Sequence, residues 1–172
     1  NLTHYPLPIQ QLILQNPRVL EHSDVKIVSS AAQDYHYVFN YTNGIFLRCG
    51  KTLSDTDDPP FAALGPEIAD IEISEICNGG CPFCYKNNTE KGRNMSLATF
   101  KQIFHKFPSN LCQIAFGIGD ISGNPDLWEI LAYCRSNPYH KVIPNITING
   151  KNLTPEIAQK FARVCGAVAV SH

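Results

Sequence analysis

From Glu67 onward, short apolar runs alternate with amphipathic stretches in a regular order. Residues 68–76 (IADIEISEI) alternate apolar and polar positions with a period of two, the signature of a strand, and run straight into Cys77. In the next segment Leu97, Phe100, Ile103, Phe104 and Phe107 fall on one helical face, with Ser96 as the N-cap and Pro108 as the stop. LCQIAFGIG reads as a buried strand. Asn124-Pro125-Asp126 opens a second helix bearing Leu127, Trp128, Ile130, Leu131 and Tyr133 through Cys134, and Asn137-Pro138 closes it. VIPNITI is the third strand; Thr154 caps and Pro155 starts a third helix, Gly166 follows it, and AVAV is the fourth strand. This alternation predicts an α/β fold with a parallel sheet and right-handed crossovers, whose functional groups sit on the loops after the strands.

Upstream the period changes. VKIVSS, YHYVFNYT and GIFLRCG predict a small antiparallel sheet over residues 25–50, with Asn43-Gly44 as a two-residue hairpin turn. His36 and Cys49, inside it, read as packing or surface residues. Residues 1–20 place Pro6, Pro8 and Pro17 around the apolar segment Ile9 to Leu14, which suits a short helix or an extended docking arm equally. Residues 51–66 hold three aspartates, Pro59-Pro60 and a Gly-Pro, the composition of a linker. They lack the glycine and terminal glutamate of a calcium loop, so a solvated acidic loop is the better reading. The expected organisation is therefore an N-terminal region over 1–66 and a core domain over 67–172.

Composition narrows the class. With 44% hydrophobic and 17% charged residues in a chain of 172, a buried core is within reach and disorder is not indicated. A formal net charge of −1 without a basic run gives no reason to expect a nucleic acid or a membrane surface as partner. No apolar run approaches the roughly 18 residues that span a bilayer, and no signal peptide is visible. Seven cysteines are an odd number, and three of them cluster, which favours a reducing cytoplasm over a disulfide framework. The Asn-x-Ser/Thr triplets at Asn1, Asn40, Asn87, Asn94, Asn145 and Asn152 then read as chance in an Asn-rich chain.

The chemistry concentrates in ICNGGCPFCYKN, where Cys77, Cys81 and Cys84 are separated by three and then two residues. Thiolates so spaced can wrap a short loop around one centre, and thiolate is the ligand class that iron–sulfur clusters and zinc prefer. Three ligands leave one iron of a cubane open to chemistry. Zinc with a distant fourth ligand such as Cys112 or His105 is the rival, although structural zinc sites usually use two ligand pairs and no second pair is evident. Cys112, Cys134 and Cys165 otherwise read as small buried hydrophobes, and His105 as solvated.

At these cysteines the chain resembles the radical S-adenosylmethionine (radical SAM) enzymes, whose signature is CxxxCxΦC with an aromatic at Φ: Phe83 fills Φ and Tyr85 follows the last cysteine. FGIGDISGNPDL after the second strand is similar to the family's F-x-GGEP-LL-NPDL stretch, with Gly119 and Asp120 matching the second Gly and the Glu. Ile118 and Ile121 depart from it. Residues 147–153 (TINGKNL) are similar to the TNGxxL stretch of the subgroup that includes molybdenum-cofactor cyclases and SPASM-type peptide maturases, and Val170-Ser171 resembles the start of that subgroup's V-S-x-D-G.

The resemblance covers residues 68 to 172 and implies a partial (βα) radical SAM barrel of four parallel strands and three helices. It implies a [4Fe–4S] cluster on Cys77, Cys81 and Cys84, and S-adenosylmethionine (SAM) bound through Gly119, Asp120, Asn149, Ser171 and the backbone at Phe83 and Tyr85. It further implies reductive cleavage of SAM to a 5′-deoxyadenosyl radical that modifies a substrate, with a peptide as one candidate, and an electron donor such as flavodoxin or ferredoxin. Nucleotide or cofactor modification by the same chemistry, and a non-catalytic iron–sulfur or zinc module, are the alternatives. Both ends of the chain read as cut. The core is accordingly expected to stop after its fourth strand, with cluster binding retained and turnover weak or absent.

Overall fold

The computed structural model describes residues 19–22, 24–30, 35–50, 65–86, 88–138 and 140–171. The expectations for Ile9 to Leu14 and for the aspartates of the linker lie outside them. The chain divides into two compact units, one of residues 1–67 with 108–112, the other of residues 68–107 with 113–172.

The first unit is an antiparallel meander, β1 (Val19–His22), β2 (Val25–Ser30), β3 (Tyr35–Asn40) and β4 (Phe46–Cys49), paired in chain order. β1 begins at the end of residues 1–20, for which the sequence left a short helix or an extended arm open; it pairs with β2 from Val19↔Val28 to His22↔Val25. Along β3, Tyr35, Tyr37 and Phe39 are buried and their neighbours half-buried, as period-two alternation requires. The turn into β4 is longer than the two-residue hairpin expected: Phe39 pairs with Phe46. Asn40 explains this, because its side-chain oxygen accepts from the N–H groups of Thr42 (2.8 Å) and Asn43 (3.2 Å) and captures the chain early, leaving Gly44 at φ +74°. Residues 108–112 belong to this unit through the buried Lys26 ammonium, which donates to the Leu111 carbonyl, and Tyr37, whose hydroxyl donates to that of Asn110. Cys49 is buried, and His36 shares a 2.6 Å hydrogen bond with Ser29.

The second unit carries a parallel sheet in the order β5 (Ile68–Glu72), β6 (Gln113–Gly117), β7 (Ile143–Ile148) and β8 (Val168–Val170). Its crossovers are α1 (Leu97–Phe104), α2 (Leu127–Ser136) and α3 (Pro155–Val164). The caps act as the sequence suggests: Ser96 accepts from the Thr99 N–H and Thr154 from that of Ile157, with Pro155 in the first turn of α3. Asp126, the N-cap of α2, has no side-chain bond within its own helix. Its carboxylate accepts from the Leu97 N–H at 2.8 Å and so ties the start of α1 to the start of α2.

The core lies between sheet and helices. Phe100 and Phe104 of α1 are buried, and the Phe100 ring stands 5.6 Å from that of Phe116 on β6. Ile130, Leu131 and Cys134 of α2 and Ile146 and Ile148 of β7 are buried as well. Each large side chain buried this fully contributes about 1.5–3 kcal/mol. Phe116 points to the helices, so Gly117, its in-register partner Glu72 on β5 and Thr147 on β7 lie on the opposite face at the C-terminal strand ends. β5 is shorter than the alternation over 68–76 predicts, because its partner β6 ends at Gly117. Residues 73–77 instead pair with residues 89–95: the N–H groups of Glu75, Cys77 and Met95 reach the carbonyls of Arg93, Thr89 and Ile73 at 2.9–3.0 Å.

Candidate metal and cofactor site

That ladder is the neck of the thiol loop. Cys77 leaves it directly, its N–H bonded to the Thr89 carbonyl at 3.0 Å, while Thr89 donates back to Glu75 at 3.0 Å. Side chains lace the neck from outside: the Ser74 hydroxyl donates to Asn94, Asn94 donates to the Gly123 carbonyl at 2.6 Å, and Asn124 donates to the carbonyls of Ile73 and Met95. A bidentate Arg93–Glu75 pair closes the exposed side. Asn94, Asn124, Ser74 and Arg93 were not legible as site residues, since nothing in their spacing announces a bond formed across loops.

The predicted site residues fall at the ends of neighbouring strands. Cys77 is half-buried; Cys81 and Cys84 are exposed, as are Phe83 (82%) and Tyr85 (86%). The Cys77 sulfur accepts from the Gly79 N–H at 3.2 Å and lies 3.9 Å from the Asn149 side-chain nitrogen, which comes from the loop after β7. Gly119, after β6, lies against the same cysteine: a Cβ there would collide with Cys77 Cβ and stand 2.8 Å from its sulfur. Ser171, after β8, is exposed, with its N–H bonded to the Ile148 carbonyl at 2.8 Å.

Asp120 is buried at 6% exposure, where its Oδ1 accepts from the Ser122 N–H (2.9 Å), the Ser122 hydroxyl (2.8 Å) and Asn152 Nδ2 (2.9 Å). Its Oδ2 takes Asn152 alone, at 3.1 Å. Burial works to raise the Asp120 pKa, but the Ser122 and Asn152 hydrogen bonds and the Lys151 charge outweigh it and hold the carboxyl below the usual range. A depressed acid contributes stability that is complete above its unfolded pKa and is lost as pH falls through its folded one. Asp120→Asn is therefore expected to flatten the acid-side decline of the melting temperature, and parallel curves for variant and wild type would contradict this account. Asn152 and Lys151 belong to the TINGKNL stretch, but only the fold brings them to Asp120; Lys151 also reaches the Asn78 carbonyl at 3.3 Å.

The other thiols are engaged elsewhere. Cys112 is buried and bonded to the Tyr37 hydroxyl at 3.4 Å, burial pushes the Cys165 thiol up to about 12, and Cys134 is raised further by burial and by Cys165. His105, expected to be solvated, is exposed but shares a 2.9 Å hydrogen bond with Tyr133. No described helix is long and apolar enough to cross a membrane.

The residues present fit a thiolate-bound centre in two respects. Cys77, Cys81 and Cys84 supply the soft donors such a centre needs, and Gly119, having no Cβ, lets Cys77 pack directly against the end of β6. Among the described residues no three Cys, His, Asp or Glu side chains converge on one point.

Fold and site together define the class: a parallel α/β sheet with a three-thiol loop at the site end of its first core strand. The profile of the radical SAM superfamily matches residues 71–172, and the chain belongs to that superfamily. The chemistry of that superfamily is SAM-dependent and radical, run from an iron–sulfur cluster. No curated protein and no solved structure matches the chain.

Proposed function

We propose that this chain is a radical SAM enzyme of the SPASM-like or cyclase-like subgroup, with Cys77, Cys81 and Cys84 as the ligands of a [4Fe–4S] cluster and a peptide as substrate. Flavodoxin or ferredoxin is the class of electron donor that suits it. The observation that carries the reading is the meeting at Cys77 of groups from two further strand ends, Gly119 after β6 and Asn149 after β7. One electron delivered through such a cluster cleaves SAM reductively, and that is the chemistry the group supplies when bound.

The chain's own residues bind and orient. Asp120, held ionised by Ser122 and Asn152, keeps acceptor capacity on its Oδ2 that a SAM ammonium would use, either from closer approach or through a bridging water because it is one methylene shorter than the family's Glu. Asn149 and Ser171, at the next two strand ends, are further residues that would hold the cofactor. The backbone at Phe83 and Tyr85 would contact the adenine, and the Gly79 N–H already donates to the Cys77 sulfur, the kind of bond that tunes such a centre.

Anaerobic reconstitution with iron and sulfide tests this. A brown protein with roughly four irons per chain is the expected result, with 5′-deoxyadenosine formed from SAM under dithionite only weakly. A colourless protein that takes up zinc in place of iron would overturn it. Mass changes in candidate peptides, set against nucleotide substrates, separate the subgroup reading from its alternative.

A further inference from the structure

The exit of β6 carries two glycines, and each makes room for a different limb of the thiol loop. Gly119 accommodates Cys77 on the entry limb. Gly117 is buried on the opposite side from Phe116, and a Cβ there would collide with the Lys86 ammonium and stand 3.7 Å from its Cε. Gly117 is not among the glycines with positive φ, so space and not backbone conformation explains it.

Lys86 belongs to the exit limb, two residues beyond Cys84. Residues 80–85 are exposed, and Lys86 is the first half-buried residue after them. Its Nζ lies 3.2 Å from Glu72 Oε1, and the same oxygen accepts from Asn88 Nδ2 at 3.1 Å. Glu72 and Gly117 are register partners on β5 and β6. One carboxylate on the last residue of β5 therefore grips the exit limb at two points, and Gly117 leaves the floor free for the lysine to cross. An ion pair of this exposure contributes little by itself. Here the second bond from Asn88 and the cradle at Gly117 add geometric definition to it.

We propose that Lys86, clasped by Glu72 across Gly117, is a positioning residue that fixes the exit limb and thereby sets Cys84 for metal binding. The proposal rests on the reading of Cys84 as a ligand, while the clasp itself is a property of the metal-free chain. Neither Lys86 nor Glu72 is needed as a donor to metal, so their role is separable from that of the thiols.

Hydrogen–deuterium exchange on the metal-free protein reads the clasp. Lys86→Met and Glu72→Gln are each expected to speed exchange across residues 84–88 by about threefold to tenfold, leaving residues 73–77 unchanged. After reconstitution the same variants are expected to lose iron to a chelator several times faster and to show altered g-values in the reduced-cluster EPR spectrum. The charge-swapped double variant, Glu72→Lys with Lys86→Glu, is expected to recover both signals in large part, which a merely destabilised fold would not do. Gly117→Ala, which displaces the ammonium without removing it, gives an independent route to the same phenotype.

Unchanged exchange in Lys86→Met and Glu72→Gln would overturn the proposal. So would faster exchange with an unaltered EPR spectrum, since the clasp would then order the limb without setting Cys84. A wild-type chain that takes up no iron defeats the underlying cluster reading instead, a failure visible before any variant is made.

Discussion

Replacing Cys77, Cys81 or Cys84 singly by serine is expected to lower bound iron after anaerobic reconstitution from roughly four per chain to below about one, and to abolish 5′-deoxyadenosine formation. Three thiolates leave no redundancy, because the remaining cysteines are held elsewhere: Cys49, Cys112, Cys134 and Cys165 are all buried. A serine hydroxyl is a hard, weakly acidic donor and a poor substitute for thiolate on iron. Cys134→Ala is the matched control, expected to keep its iron. Iron analysis with the visible absorbance of the cluster checks both, and a Cys81 or Cys84 variant with full iron would remove that residue from the ligand set. The largest loss is expected at Cys77, the one of the three thiols whose own side chain is contacted from two other strand ends, by Gly119 and Asn149.

Gly119→Ala is the second large effect. Its new methyl would meet Cys77 Cβ and sulfur as well as the Ile76 carbonyl at 2.9 Å, and none of these is the free end of a flexible side chain. Relief requires the strand end or the start of the loop to shift, an overpacking cost of roughly 1–3 kcal/mol. If that strain is relieved by displacing Cys77, iron retention falls by about tenfold for each 1.4 kcal/mol. Denaturant unfolding of the metal-free variant gives the first number and iron retention against a chelator the second. A variant with wild-type iron retention would mean that the cradle at Gly119 has no part in holding the centre.

Much of the second unit is legible in the sequence because its signals are local. Ser96 and Thr154 cap the helices they precede, and the apolar face of Phe100 and Phe104 is the face that α1 buries. The cysteine spacing is local too, which is why the loop could be found before the fold was known. What escaped depends on partners remote in sequence. The alternation through Ile76 looks like continuing strand, yet where β5 stops is decided by Gly117 on its neighbour. Asn43-Gly44 has the composition of a tight hairpin, but the Asn40 side chain had already claimed the two N–H groups that follow it. Lys86 looks like an ordinary solvated lysine until Glu72 and Gly117 are brought beneath it, and Asn152 gains its role only when β7 lies beside β6.

The neck between residues 73–77 and 89–95 is closed chiefly by main-chain bonds that almost any residue except proline can make. Apart from Lys86 and Asn88, few side chains between Cys77 and Thr89 are therefore needed to hold the loop shut. Natural variation there can be spent on chemistry: loops of different length or polarity could be exchanged on this frame, retuning the centre while the sheet beneath keeps its architecture. The same neck makes the segment a natural unit for transplantation, provided that Gly123 and Asn124, whose bonds complete the closure, travel with it.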